Sequence, residues 1–190
     1  MPELTIKEQD AETKDAYRKH HGIFYRAGIV MQVLGAALLA VLYPLGNPFY
    51  TLGIMCFESG VLLAAIYLVI ERPLVKKILL LVIAFGLVLQ IAGFYVAEDY
   101  AGLAIMGGIS LVCAGAAGMA SNEAYRMKCL EGWMLSLFGF PTIIIANLFF
   151  KENHIFNSLC FSGLFLLLLS LAGKTLKQFM RSGQKIDGNR

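Results

Sequence analysis

Six stretches of the chain are nearly continuous runs of apolar residues, at about 27–43, 49–70, 78–97, 101–120, 133–150 and 155–173. Each is close to the roughly 20 residues a helix needs to cross the hydrocarbon core of a bilayer. The runs do not alternate apolar with polar, as the strands of a membrane barrel do. An open sheet edge would also leave backbone groups unsatisfied in lipid. The pattern predicts an all-α fold: a polytopic membrane helical bundle of six transmembrane helices. Its breaks are short. Pro44-Leu45-Gly46-Asn47-Pro48 is a turn through which neither flanking helix can continue, and polar residues at 71–77, 98–99, 121–132 and 151–154 separate the other runs. The chain thus divides into an N-terminal tail (1–22), a membrane domain (23–173) and a basic C-terminal tail (174–190).

Composition sharpens this picture. Only 15% of residues are charged, against about 25% in an ordinary globular chain, and the mean hydropathy is +0.68. Ten of the charges fall in 1–26 and six in 174–190, leaving 13 for the 147 residues between. Twelve of those 13 mark the breaks, and Glu58 is the exception. Such a distribution excludes a soluble enzyme, a secreted disulfide scaffold and a disordered chain.

The cations set an orientation. Lys7, Lys14, Arg18, Lys19, Arg26, Arg72, Lys76, Lys77, Arg126, Lys128 and the five basic residues after 173 would share one side, with Lys151 alone on the other. Both termini are therefore expected in the cytoplasm of a bacterial inner-membrane protein, or in the stroma if the membrane is a plastid's. The net charge of +3 is then a topology signal, and the expected partner is the lipid bilayer, not nucleic acid. Residues 1–22 mix both signs of charge and lack the pattern of a cleaved signal peptide. Residues 23–26 read as an interfacial anchor. Lys174, Lys177 and Arg181, interleaved with Leu176, Phe179 and Met180, suit either an anionic lipid surface or a solvated tail.

Little in the chain points to catalysis. Cys56, Cys113, Cys129 and Cys160 form no CxxC pair, so no disulfide framework or zinc ribbon is indicated. His20, His21 and His154 lie outside the runs, which excludes a bis-histidine haem between helices. His20 and His21 with Cys129, Glu123 or Glu131 suggest at most a cytoplasmic metal site, and adjacent histidines in a charged tail are more often solvated. A nucleophile elbow, a P-loop and a zinc-protease helix are missing. Neither a metal nor a cofactor is expected.

Glu58 carries the one candidate chemistry. A charge at the centre of a span costs about 2.5–3.5 kcal/mol to insert, and each Leu, Ile, Val or Phe of its run returns roughly 0.3–0.6 kcal/mol. The span therefore still inserts, but its carboxyl must carry a proton or meet a polar partner. Depth along the helices, at about 1.5 Å per residue, puts Gln90 in the same outer layer, with Ser110, Thr142 and Ser162 within about a turn. Gly86 and Gly93 share a face with Gln90, an arrangement that lets helices approach closely while an amide bonds across. The expectation is that Glu58 and Gln90 meet, either as inert packing or as a proton- or substrate-coupling site.

Other patterns concern packing. Gly28-Ile-Val-Met-Gln32-Val-Leu-Gly35 parallels Gly86-Leu-Val-Leu-Gln90-Ile-Ala-Gly93, but the glutamines lie at different depths, so this reads as a recurring packing device more than a superposable repeat. In span four, Gly108, Gly115 and Gly118 line one face and Ser110, Ala114, Ala117 and Ser121 another, which suggests neighbours on both sides. Pro141, near Gly139, should kink span five. The leucine run at 164–169 suits lipid.

The junctions carry a family resemblance. Tyr25-Arg26, Ile66-Tyr67 with Pro73-Leu74, Asn122-Glu123-Ala124-Tyr125 and Leu130-Glu131, together with the proline of span five, resemble the uncharacterised bacterial and plastid membrane family called domain of unknown function 2301. The resemblance covers about residues 23–175. Arg126 stands where that family is expected to carry Cys. The resemblance implies a six-span inner-membrane or thylakoid-type protein and supplies no activity.

Two functions of different class follow. One is a small proton-coupled carrier or channel using Glu58, as a homo-oligomer because six helices enclose little space. The other is a non-catalytic assembly or stability factor for a membrane complex, docking through Glu123, Arg126, Lys128 and Glu131 of the 121–133 segment. The same segment also reads as a solvated helix–helix linker.

Overall fold

The computed structural model describes residues 6–43, 50–68, 73–96, 98–150 and 153–187, with side chains described over 22–43, 51–68, 73–96, 100–150 and 153–177. Among the described residues there are helices and no strand: α1 (Ile6–Leu42), α2 (Tyr50–Tyr67), α3 (Pro73–Gly93), α4 (Glu98–Met127), α5 (Leu130–Met134), a π-helical turn (Leu135–Gly139), α6 (Phe140–Phe149) and α7 (His154–Asp187). Five segments are long and apolar enough to cross a membrane: Gly22–Leu42, Pro73–Gly93, Tyr100–Met127, Leu130–Phe149 and His154–Lys177. The sixth, Thr51–Tyr67, is apolar but shorter. The 18 residues of α2 extend about 27 Å, close to the roughly 30 Å of the hydrocarbon core. The ends expected for this run at 49 and 69–70, and the turn at 44–48, lie outside the described residues.

Helices outrun the apolar stretches that announce them. α1 begins at Ile6, inside the polar tail, and α7 continues through the basic end to Asp187. α4 does not stop at 120 but extends to Met127, which reduces the expected 121–132 break to a turn at Lys128 and Cys129. The turn is a Schellman-type C-cap. Lys128 takes a left-handed φ of 48°, and the Cys129 amide donates to Ala124 O at 3.2 Å, satisfying a terminal carbonyl. α3 opens on Pro73, which needs no amide partner at a first helical position. It closes at Gly93, four residues before the apolar run ends. Asn153 caps α7, its Oδ1 accepting the Phe156 amide at 3.0 Å.

Two helix pairs dominate the packing, α1 with α2 and α3 with α4, and both close on glycine. A Cβ on Gly28 would stand 2.6 Å from Ala64 N, and one on Gly60 would stand 2.7 Å from Gln32 N. In the second pair, a Cβ on Gly86 would meet Gly108 O at 2.7 Å, while Gly115 and Gly118 receive Ile83 and Leu79. The two glycine–glutamine motifs thus do the same job in two hairpins. The second small face of α4 is not buried as expected, since Ala114 is exposed. The core face runs instead through Val112, Cys113, Ala116, Met119, Ala120, Glu123 and Ala124.

α7 lies against α1 and does not give its whole 164–169 run to lipid: Leu164 and Leu168 are buried, and Leu166 and Leu169 are exposed. Ser158 Oγ donates to Ala40 O across this contact at 2.7 Å. In span five the expected proline kink takes the form of the π turn. The Phe140 amide bonds back to Leu135 O, five residues away. The wider turn accommodates Pro141, which has no amide and whose ring would clash with a carbonyl of a regular helix.

Candidate functional site

Glu58 stands eight residues into α2, about 12 Å from its Tyr50 end, and is 8% exposed. Gln90 of α3 donates its Nε2 to Glu58 Oε1 at 2.6 Å. Gly108 of α4 makes this possible, because a Cβ there would collide with Gln90 Cγ. The carboxyl also lines a cavity of about 30 Å³ with Tyr43, Phe57, Cys113 and Asn147. That volume holds one or two waters.

The rest of the expected polar layer does not assemble. Ser110 Oγ donates to Met106 O at 2.8 Å and Ser162 Oγ to Ser158 O at 2.9 Å, each satisfied one turn back on its own helix. Thr142 is exposed. Their sequence neighbours Ile109, Ile143 and Phe161 line the Glu58 cavity, but depth along a helix does not fix which way it faces.

A second polar cluster lies toward the other end of the bundle. Gln32 is 5% exposed and donates Nε2 to Gly60 O at 3.3 Å. It lines a cavity of about 20 Å³ with Tyr25, Glu123 and Phe140. Tyr25 hydrogen-bonds the Glu123 carboxylate, which also accepts from Arg126 Nη1 at 3.0 Å. Gln32 was visible only as part of the glycine–glutamine pattern. The inward turn of Glu123 was readable from its spacing after Cys113, Ala116 and Ala120, a helical stripe that continues the core face.

This divides the expected docking set. Glu123 is 3% exposed and so faces the bundle, not a partner. Glu131 is tied to α7, its carboxylate accepting from Lys174 Nζ at 2.5 Å and Ser170 Oγ at 3.4 Å. Arg126 and Lys128 remain exposed. Beside them Tyr125, Lys128, Leu130 and Trp133 line a shallow depression of about 540 Å³.

Cys56 and Cys160 are half-buried, Cys113 and Cys129 are buried, and all four are free thiols. The side chains of His20 and His21 lie outside the described residues. Among the described residues no three His, Cys, Asp or Glu side chains gather as a metal site would require. Comparison of the chain with models of known families, with curated proteins and with solved structures finds no match.

Proposed function

We propose that this multi-span membrane protein is a small proton-coupled carrier or channel in which Glu58 binds the transported proton. One observation carries the reading: a carboxyl 8% exposed, inside an apolar bundle, faces a water-sized cavity and a neutral amide instead of a cation. Intramembrane carboxylates of this kind mark proton and ion pathways. A cavity of about 30 Å³ has no room for an organic solute within one chain, so a larger cargo would need a homo-oligomer. The orientation is part of the proposal, with both termini cytoplasmic in a bacterial inner or plastid membrane. So is kinship with domain of unknown function 2301, which contributes a framework and no activity. The test is proton flux into liposomes carrying the purified protein. Flux that disappears in Glu58→Gln supports the reading, and equal flux in both proteins sinks it.

The alternative is an assembly or stability factor for a membrane complex. It is favoured by the exposed depression at Tyr125, Lys128, Leu130 and Trp133. Glu131 is paired with Lys174 and Glu123 with Arg126 itself, so docking would rest on Lys128 and the exposed half of Arg126. A membrane partner recovered in mild detergent and lost on their substitution by Ala would support this function instead.

A further inference from the structure

We propose that Glu123 is a second proton site, exchanging protons with Glu58 along the bundle axis through a partition made by Phe57 and Phe140. This deepens the carrier reading above and rests on it. The two cavities are stacked one helical turn apart. Val112 and Ala116 on α4, Leu164 and Leu168 on α7, and Ile143 and Phe140 on α6 line the outer and inner cavity respectively. Phe57 belongs to the outer wall and Phe140 to the inner, and their ring centroids are 6.4 Å apart. Cys113 shares the outer cavity with Glu58, and Glu123 follows it by ten residues along α4, a distance of about 15 Å. The two cavities have room for two or three waters between them, and the Phe57–Phe140 contact separates them.

The two carboxyls differ in their neighbours. Glu58 faces Gln90 from α3 and Cys113 and Asn147 from α4 and α6, with no cation among the described residues lining its cavity. Glu123 faces Tyr25 and Gln32 from α1 and pairs with Arg126, whose side chain is half exposed at the end of the bundle. A proton leaves the Glu58 acid for a water, and that water passes another inward until one binds Glu123. Glu58 is then a carboxylate and Glu123 an acid, which loosens the Arg126 pair and opens the way to bulk water. Phe140 directly follows the π turn and belongs to its closing hydrogen bond.

The experiment uses the full chain in liposomes under an imposed potential, with a trapped pH dye. Wild type conducts, and Glu58→Gln is silent. Glu123→Gln should lose the flux, Glu123→Asp should restore it, and Phe140→Ala should raise it while the double variant with Glu58→Gln stays silent. Flux in Glu123→Gln equal to wild type overturns the relay and leaves the Glu58 reading standing. No Glu58-dependent flux in wild type overturns both. If Glu123→Gln does not fold, Phe140→Ala decides, because unchanged flux there removes the partition.

Discussion

Gln90 Nε2 and Glu58 Oε1 lie 2.6 Å apart, and the bond joins the two glycine-packed hairpins across a sparse contact between α2 and α3. Its energetic weight is testable. Gln90→Leu leaves a buried carboxyl without its donor, whereas in a Glu58→Leu background it orphans nothing. Gln90→Leu should therefore cost about 1–2 kcal/mol alone and clearly less in the double variant. Unfolding in detergent measures all four corners of the cycle. Strict additivity would mean that the pair contributes nothing to stability.

Gly108 is the narrow point behind that bond. A Cβ there would stand 2.5 Å from Gly86 O and would run into Gln90 Cγ, so Gly108→Ala must push α3 away or turn Gln90 from Glu58. The expected loss is about 1–3 kcal/mol, with a fall in Glu58-dependent flux. Gly163 supplies the control, since a Cβ there has no atom within 4 Å. Gly163→Ala should be neutral or slightly stabilising because it reduces the backbone freedom of the unfolded chain. Similar changes at both positions would show that the close α3–α4 approach at Gly108 does not govern the effect.

The contrast between these glycines also marks what the sequence could convey. Apolar run length made the bundle legible, and the glycine–glutamine spacing made Gln90 legible, because both follow from helical geometry. The boundaries at Met127 and Asp187 were not, since helix continuation depends on backbone bonding and capping, which hydropathy does not register. Ser110, Thr142 and Ser162 were misjudged for a related reason. Their depth is fixed by residue count, but their facing is set by how α4, α6 and α7 rotate against neighbours. Glu123 looked like a surface charge because it follows an apolar run, and only its phase relative to Cys113 and Ala116 betrays the inward turn.

Lys128 closes α4 with a φ of 48°, a region where a side chain is strained and glycine is not. Lys128→Gly should stabilise the protein by about 0.5 kcal/mol, the relief of left-handed strain less the extra entropy of a glycine in the unfolded chain. Lys128→Val should destabilise it, because a β-branched residue tolerates that region poorly. Melting temperatures of the two variants in one detergent decide this. A lower value for Lys128→Gly would mean that the lysine side chain contributes more to stability than its backbone costs.

The crossing of α2 decides the parity of the whole topology. Five segments are long enough to span by themselves, and an odd number would put the two termini on opposite sides. α2 has 18 residues, about 27 Å, and a mismatch of a few ångströms is absorbed by local thinning at modest cost. It also packs more extensively on α1 than any other pair in the bundle, with Gly28, Gly35 and Gly60 at the contact. α1 and α2 form an antiparallel pair, with Phe24 stacked on Tyr67 at 4.8 Å near one end. A helix held along the length of a spanning neighbour must itself cross. Activity reporters fused to each terminus should therefore both register the cytoplasmic side, as the 15 cations against Lys151 require. Termini on opposite sides would show that α2 does not cross, and would remove Glu58 from the membrane interior.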